Sequence, residues 1–274
     1  TCKILTAAVE EVRNEQKRSS IFAILTFIVA WQGEEEGFVR IFSRQNNEWQ
    51  LQYTCLDPSI MTKTIFDECE SSVVISGTLE PPFMYKDILG IPNATQKMYK
   101  NPFPKKNALH LVVPKTTTLY SRRNSAEYEA IANECKNLLK YMSGNTAIFF
   151  PSYAIRNQVY KYLYDIEEDF VLEEPGLSKD EKAHILSNFT KTSLKRRVLL
   201  GTSSGSFGEG IDLPGNFLTG VIIVGLPLLK PSLEVEKLIE YYNKKYGKGW
   251  EYGYFFPSFN KTFQNAGRCI RSET

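Results

Sequence analysis

The stretch from Gly201 to Asp212, Gly-Thr-Ser-Ser-Gly-Ser-Phe-Gly-Glu-Gly-Ile-Asp, interleaves glycines with hydroxyl and carboxylate side chains. It follows an apolar segment with the pattern of a β-strand, so the loop should lie where open α/β sheets bind ligands. Glycines let backbone N–H groups approach phosphate oxygens closely, and Thr and Ser hydroxyls add donors. Composition alone fits a phosphate-binding loop and an ordinary Gly/Ser connector equally well.

A second polar segment near the end of the sequence reads Gln264-Asn-Ala-Gly-Arg-Cys-Ile-Arg271. On a helix, Gln264, Arg268 and Arg271 would share one face, because they are spaced i, i+4 and i+7. Two arginines held side by side suit polyphosphate, since guanidinium groups bind phosphate oxygens in a planar fork. A solvated basic helix face is the alternative, and the spacing alone favours it.

The elements that must position these segments alternate between helix and strand patterns from about residue 124 onward. Ser152 and Ser178 are predicted to cap helices, and Ser178 forms a capping box with Glu181. The predicted strands are Thr146–Phe150, Arg197–Gly201, Gly220–Gly225 and residues near 252–256; the predicted helices span about 124–142, 153–163, 179–190 and 232–246, with a last one from about 261. Such alternation predicts an α/β fold with a parallel sheet covered by helices.

The first 90 residues follow a different pattern. Residues 1–31 look helical, and residues 37–55 alternate like two antiparallel strands that turn near Asn46 and Asn47. Ser72–Ile75 is predicted to be a short, buried strand. This portion is too small for a large core of its own, so we expect it to pack on a part of the protein outside this sequence.

The composition excludes several classes of protein. A net charge of +2 neither demands nor excludes nucleic acid as a ligand. The odd number of cysteines and the absence of C-x-x-C spacing argue against a disulfide framework and a zinc site. The longest apolar run, Ile21–Trp31, is shorter than the roughly 20 residues of a membrane span, so we expect no membrane partner.

Taken together, the two polar segments resemble motifs V and VI of superfamily-two helicases, and the whole pattern is similar to that of the XPD branch, in particular to archaeal XPD sequences. Further segments resemble the same branch in the same order from about residue 50: Cys55-Leu-Asp-Pro-Ser59, Ser76-Gly-Thr-Leu79 as motif III, Phe149-Phe-Pro-Ser-Tyr153 as motif IV, Gly225-Leu-Pro227 and Tyr246-Gly-Lys-Gly-Trp250. Each motif alone is weak, whereas the combination is specific.

The resemblance implies roles for individual residues. Helicases of this kind have two RecA-like lobes with ATP in the cleft and DNA crossing both. Arg268 and Arg271, with Gln264, would serve catalysis at the γ-phosphate, a role worth roughly 10³–10⁵ in rate for tested arginine fingers. The remaining implied roles are nucleotide binding and its link to DNA for Gly208, Glu209, Gly210 and Asp212, coupling for Ser76 and Thr78, and DNA backbone contact for Ser152, Tyr153, Thr202 and Ser206. Tyr153 could instead stack on a base or simply pack at the strand end.

The sequence also departs from a complete helicase. It contains no G-x-x-x-x-G-K-[ST] loop, and its cysteines are too scattered for the four-cysteine iron–sulfur site of the family. Asp67-Glu-Cys-Glu70 imitates a Mg²⁺-binding DEAH box, but Met61–Phe66 before it reads as a helix where that motif follows a strand. We therefore expect the sequence to be an excerpt without the first motor lobe, which on its own neither binds ATP tightly nor hydrolyses it.

The resulting hypothesis divides the chain into a helical remnant of an arch-like insertion (residues 1–32), a returning edge of the first lobe (33–95) and a second RecA-like motor lobe (96–274). The parent protein would be a 5′-to-3′ DNA helicase acting in repair on single-stranded and forked DNA, with ATP and Mg²⁺ shared between the lobes. A 4Fe–4S cluster is expected only in the absent part. We expect a monomer that can meet repair proteins, in the cytoplasm or nucleoid of a prokaryote or in a eukaryotic nucleus. A DinG-like helicase, an inactive nucleic-acid-binding scaffold and an unrelated α/β enzyme are the alternatives.

Overall fold

The computed structural model describes residues 20–45, 47–100, 103–191, 195–209 and 218–269. The chain forms two compact units that are interleaved in sequence. The first unit comprises the chain up to Val74 with Pro81–Ala94 and Lys230–Gly253, and the second comprises Ile75–Glu80, Thr95–Leu229 and the chain from Tyr254. The predicted boundary between residues 95 and 96 does not anticipate this interleaving, in which residues 230–253 return to the first unit.

The regular elements follow the chain in this order: α1 (Ser20–Trp31), β1 (Phe38–Gln45), β2 (Glu48–Cys55), α2 (Ser59–Glu68), α3 (Pro82–Leu89), α4 (Ser125–Leu139), β3 (Thr146–Phe150), α5 (Tyr153–Tyr160), β4 (Asp169–Leu172), α6 (Lys179–Thr190), β5 (Arg197–Thr202), β6 (Gly220–Ile223), α7 (Leu233–Tyr246) and α8 (Phe256–Ala266). A π-helical turn, Glu251–Phe255, precedes α8, and a 3₁₀ turn, Gly267–Cys269, follows it. No helix among the described residues is long and apolar enough to cross a bilayer.

In the first unit, β1 and β2 form the predicted antiparallel pair. The register runs from Phe38 opposite Cys55 to Gln45 opposite Glu48. Asn47 adopts the left-handed conformation that a tight turn requires, with φ of 67°. Stacked cross-strand pairs, Phe42 on Trp49 and Phe38 on Tyr53, add to the stability of the hairpin. The prediction of a helix over residues 1–31 is confirmed for Ser20–Trp31, and residues 1–19 lie outside the described residues.

A buried carboxylate joins the segment after β2 to α7 within the first unit. Asp57, only 4% exposed, accepts hydrogen bonds from the Ser59 and Tyr241 hydroxyls and from the Lys245 ammonium group. Burial raises the pKa of Asp57, but the hydrogen bonds from Lys245, Ser59 and Tyr241 outweigh it, so its pKa lies below the ordinary value. Ionised Asp57 therefore stabilises the folded first unit.

The pKa of Asp57 predicts how the stability of the first unit depends on pH. A carboxyl whose pKa is lowered by folding contributes stability that is complete above its unfolded pKa and is lost as pH falls through the folded value. The difference in unfolding free energy between the wild type and Asp57→Asn should be constant above about pH 5 and shrink below about pH 4. Denaturant unfolding across this range measures it, with the exposed Asp67→Asn as control. A difference that does not change with pH would contradict the assignment.

The second unit is built on a parallel sheet with strand order β4-β5-β3-β6. Thr146 to Phe150 of β3 pairs with Val198 to Thr202 of β5 on one side and with β6 on the other. Both central strands are almost completely buried, because apolar side chains cover the two faces of the sheet. The side chains of one face pack with α4 and α5, and those of the other pack with α6 and Phe207. The predicted α/β class is confirmed.

The helix ends in the second unit follow the capping signals in the sequence. Ser152 accepts a hydrogen bond from the Ile155 N–H at the start of α5, and Ser178 forms the predicted capping box with Glu181 at the start of α6. Both caps satisfy N–H groups that lack a partner inside the helix. α4 and α5 each end about three residues earlier than predicted, at Leu139 and Tyr160.

Two predicted strands are wrong. Ser72–Ile75 has no regular structure, and Val73 and Ile75 are 88% and 84% exposed, because no neighbouring strand within the described residues pairs with the segment. Residues 252–256 form the π-helical turn and the start of α8, so the last helix begins at Phe256 and not near residue 261. The structure also contains two elements that the sequence analysis missed, β4 and α3.

Candidate functional site at the carboxyl edge of the sheet

Several of the functional residues predicted in the second unit lie at or just after the carboxyl ends of the parallel strands. Ser152 and Tyr153 come directly after β3, and the Gly-rich loop begins at the end of β5. Glu173 comes directly after β4, which is the neighbour of β5. Parallel strands place their carboxyl ends at one edge of the sheet, so the topology gathers these segments there, where α/β sheets bind ligands.

The described part of the Gly-rich loop, Gly201–Glu209, folds into tight turns. The Gly205 and Glu209 N–H groups donate to the Thr202 and Gly205 carbonyls, each at 2.9 Å. A Cβ added at Gly208 would lie 2.7 Å from the carbonyl oxygens of Thr202 and Ser203, so only glycine fits there. Gly210 and Asp212, which were predicted to bind nucleotide, lie outside the described residues.

The Gln264–Arg271 segment meets this loop through Arg268. The Arg268 guanidinium donates to the Gly208 carbonyl oxygen at 2.7 Å. The prediction that Arg268 shares one α-helix face with Gln264 is wrong. The helix α8 ends at Ala266, and Arg268 lies in the 3₁₀ turn that follows. Arg271 lies outside the described residues. The structure therefore brings one predicted catalytic arginine against the predicted nucleotide-binding loop.

The predicted coupling residues also meet the end of α8. Gln264 donates from its side-chain amide to the Thr78 hydroxyl at 3.0 Å, and the Thr78 N–H donates to the Ser76 hydroxyl at 3.2 Å. Ser76 and Thr78 belong to the short segment Ile75–Glu80 of the second unit. Residues that are far apart in sequence, in the motif III-like and motif VI-like segments, are thus in direct contact.

Four residues were predicted to contact DNA, and they differ in their exposure to solvent. Ser206 and Tyr153 are partly exposed, and so is Ser152, whose hydroxyl caps α5. Thr202 is buried at 4% exposure, so its hydroxyl does not lie on the surface, and its predicted contact with DNA stays a prediction. Burial raises the pKa of the Tyr153 phenol, so it remains a neutral hydroxyl near pH 7.

Sequence reasoning missed a lysine and an asparagine on α8 that touch the Gly-rich loop. The Lys261 ammonium group lies 3.0 Å from the Ser204 hydroxyl and 3.3 Å from a Glu209 carboxylate oxygen. Asn265 is completely buried and donates to the Ser203 carbonyl at 3.1 Å. The available signal was the position of Lys261, one helical turn before Gln264. It was not used because the last helix was predicted to begin only at about Lys261.

Two further residues that the sequence analysis missed are the completely buried Glu173 and the 1%-exposed Arg156. Glu173 follows the strand β4, which the sequence analysis did not recognise, so the placement of its carboxylate beside the Gly-rich loop could not be inferred. Arg156 lies in the first turn of α5 behind the motif IV-like segment. A buried charged side chain beside a ligand-binding edge indicates a specific role.

The described residues contain no group of three or more His, Cys, Asp or Glu side chains that could hold a metal ion. Among the described cysteines, Cys55 and Cys69 are exposed, Cys269 is partly buried, and Cys135 is buried in the core. Burial raises the pKa of the Cys135 thiol to about 12, which keeps it protonated and unsuited to metal binding. These cysteines do not fit a four-cysteine iron–sulfur cluster.

The family profile and the related proteins that match this chain all belong to helicases. The sequence profile of the helicase C-terminal domain matches residues 135–274. The chain is 24% identical to the XPD/RAD3 helicase subunit of the general transcription and DNA repair factor IIH of Saccharomyces cerevisiae, covering 96% of the chain and 37% of that protein. It is 28% identical to a probable ATP-dependent helicase of Methanocaldococcus jannaschii (79% and 35% covered) and 27% identical to the ATP-dependent DNA helicase CHL1 of Candida albicans (76% and 27%). The chain thus spans between 27% and 37% of the length of these relatives.

Solved structures agree on the fold. A structure of an XPD helicase superposes with a TM-score of 0.64 at 20% identity, covering 98% of this chain and 49% of that one. A structure of XPD without ligand gives the same TM-score at 21% identity, with 97% and 54% covered. The resemblance to XPD-type helicases drawn from the sequence motifs is confirmed.

Proposed function

Because the chain belongs to the helicase C-terminal domain family, we propose that it forms the second motor lobe of an ATP-dependent DNA helicase of the XPD type. The observation that carries the proposal is the contact between Arg268 and the Gly208 carbonyl. It joins the motif VI-like segment to the motif V-like loop at the ligand-binding edge of a parallel sheet. The absence of a phosphate-binding P-loop in this sequence agrees with a parent in which another lobe grips the nucleotide.

The nucleotide would be ATP with Mg²⁺, shared with that other lobe. Arg268 and Arg271 would approach the γ-phosphate and stabilise the charge that develops there during phosphoryl transfer. Gly208, Glu209, Gly210 and Asp212 would line the same side of the cleft, with Gln264 fixing the end of α8 against Thr78. A 4Fe–4S cluster belongs to this proposal only in the rest of the parent, since the cysteines in the described part of the chain do not fit one.

DNA would bind along the carboxyl edge of the sheet. Ser152, Tyr153 and Ser206 are partly exposed there, and Ser204 is exposed beside Lys261. Hydroxyls and a lysine ammonium suit the phosphate backbone, and the Tyr153 ring suits stacking on a base. Ser76 and Thr78 would couple hydrolysis to lobe movement, because Thr78 contacts Gln264.

The finer parts of the proposal rest on family likeness. The motor would translocate 5′ to 3′ on a single strand and unwind forked DNA during repair. It would work as a monomer that binds repair proteins, in the nucleoid region of a prokaryote or in a eukaryotic nucleus. A DinG-like helicase would share these motifs and differ in the insertions of its first lobe. A scaffold that binds DNA without ATP turnover would keep the fold, yet it would not need an arginine held against the Gly-rich loop.

Strand displacement tests direction and activity together. The full-length parent should separate a duplex that carries a 5′ single-stranded tail when ATP and Mg²⁺ are present, and should leave the same duplex with a 3′ tail intact. A fluorophore and quencher on the two strands report the separation. Unwinding only from the 3′ tail would contradict the proposed polarity, and binding of both substrates without unwinding would favour the scaffold.

A further inference from the structure

The Glu173 carboxylate lies completely buried under the Gly-rich loop. One of its oxygens accepts a hydrogen bond from the Thr202 N–H at 3.0 Å, and the other accepts one from the Phe207 N–H at 3.3 Å. These two amides bracket the turn that contains Ser204 and Ser206. A single side chain therefore holds both ends of the turn whose hydroxyls are proposed to contact DNA.

Two glycines of the loop make room for this carboxylate. A Cβ at Gly201 would lie 2.8 Å from a Glu173 carboxylate oxygen, and a Cβ at Gly205 would overlap both carboxylate oxygens. Neither glycine has a positive φ, so backbone freedom does not explain them. A side chain at either position would enter the space that the carboxylate occupies.

Arg156 connects the same carboxylate segment to the motif IV-like residues. Its guanidinium donates to the Glu173 backbone carbonyl and forms an ion pair with Glu174 at 3.2 Å. The Arg156 guanidinium carbon lies 5.0 Å from the centroid of the Tyr153 ring. Arg156 and Glu173 thus tie together the segments that follow β3, β4 and β5.

We infer that Glu173 is a positioning residue for DNA binding: its buried carboxylate fixes the Thr202–Phe207 turn so that the Ser204 and Ser206 hydroxyls face a DNA backbone. The inference rests on the proposed function, because it assigns Glu173 to the DNA-facing edge of that motor. A buried carboxylate is costly, and the two backbone N–H groups that donate to Glu173 compensate for its burial. The conformation of the loop is what the carboxylate provides.

The isosteric variant Glu173→Gln tests the inference in the full-length parent. Both carboxylate oxygens accept backbone N–H groups, so a glutamine must place its own N–H₂ group against one of them. We expect hydrogen exchange of the Thr202 and Phe207 amides to become at least about tenfold faster. The single-stranded DNA concentration that half-maximally stimulates ATP hydrolysis should rise about tenfold, with a much smaller change in the KM for ATP.

The matched control is Glu129→Gln, which removes the same charge from an exposed position on α4. If Glu173 supported only folding, Glu173→Gln would lower the unfolding temperature and leave the half-maximal DNA concentration of the folded protein unchanged. That result would overturn the inference. A wild-type parent whose ATP hydrolysis does not respond to DNA would instead refute the proposed function, while the amide exchange would still report whether Glu173 holds the turn.

A double-mutant cycle with Gly205→Ala identifies the contact itself. Alone, Gly205→Ala should raise the half-maximal DNA concentration, because the new methyl group collides with the Glu173 carboxylate. In a Glu173→Ala background the collision with the carboxylate is removed and only the close contact with the Thr202 hydroxyl oxygen, 2.6 Å from the added Cβ, remains, so the same substitution should have a smaller effect. Equal effects of Gly205→Ala in both backgrounds would show that the carboxylate does not set the turn.

Discussion

Replacing Arg268 by alanine in the full-length parent is expected to lower DNA-stimulated ATP hydrolysis by about 10³-fold or more. The guanidinium is held at the Gly208 carbonyl, beside the loop proposed to line the nucleotide cleft. Its charge would stabilise the transition state of phosphoryl transfer more than the bound substrate, so the loss should appear mainly in kcat. Steady-state hydrolysis at saturating single-stranded DNA measures it.

Two further variants sharpen this prediction. Arg268→Lys retains the positive charge but lacks the planar fork of donors, and should recover only a small part of the rate. Arg122→Ala removes an exposed arginine of the same unit, outside the proposed site, and serves as the matched control. If Arg268→Ala and Arg122→Ala hydrolyse ATP equally fast, Arg268 does not act in the cleft and the site assignment is wrong.

Gly208→Ala should have the second largest effect, a loss of about 10²-fold in DNA-stimulated hydrolysis. The added methyl group would collide with the backbone carbonyls of Thr202 and Ser203 and with the buried Asn265 side chain. Backbone cannot yield as a flexible side chain can, so the loop must shift and carry the Gly208 carbonyl, the acceptor of Arg268, out of position.

The control for folding is Gly267→Ala, where an added Cβ meets nothing within 4 Å and φ is −69°. Gly267→Ala should unfold at a temperature close to that of the wild type, whereas Gly208→Ala should unfold at a lower temperature, because the loop must shift beside the buried Phe207 side chain. Full hydrolysis by Gly208→Ala would show that the close packing around Gly208 has no part in the reaction. A Gly208→Ala protein that fails to fold would show that this packing supports the core.

The motif-rich parts of the fold were predictable because local signals and tertiary structure agree there. β3 was predicted to the residue, since its apolar run lies between a glycine turn and the Ser152 cap. The capping box of Ser178 and Glu181 likewise depends only on neighbouring residues. The Gly-rich loop was located for the same reason, as a glycine cluster after a buried strand.

The errors arise where distant packing decides. Ser72–Ile75 has the composition of a buried strand, but a strand needs a hydrogen-bonded neighbour. Residues 252–256 are aromatic like a strand, yet Tyr252 packs against Tyr242 and Tyr246 of α7 and the backbone stays helical. β4 has only four residues between charged neighbours, so its pattern is too short to recognise, and Glu173 was missed with it.

The site was predictable in its residue types but not in its connections. Arg268 and Gln264 were identified from the resemblance, whereas the Gly208 carbonyl and Thr78 hydroxyl that hold them are contacts across the fold. Thr202 was predicted to face DNA because hydroxyls suit phosphates, but its position at the end of a central strand buries it. Spacing cannot distinguish an exposed hydroxyl from a buried one.

The most direct test of the central claim, that this chain is half of a DNA-driven ATP motor, is ATP hydrolysis by the full-length parent with and without single-stranded DNA. The proposed function predicts slow hydrolysis alone and strong stimulation by DNA, because the turn that is proposed to face DNA and the Arg268 contact belong to one loop. Hydrolysis that is absent under both conditions, in a protein that still binds DNA, would contradict the motor and leave only a nucleic-acid-binding fold.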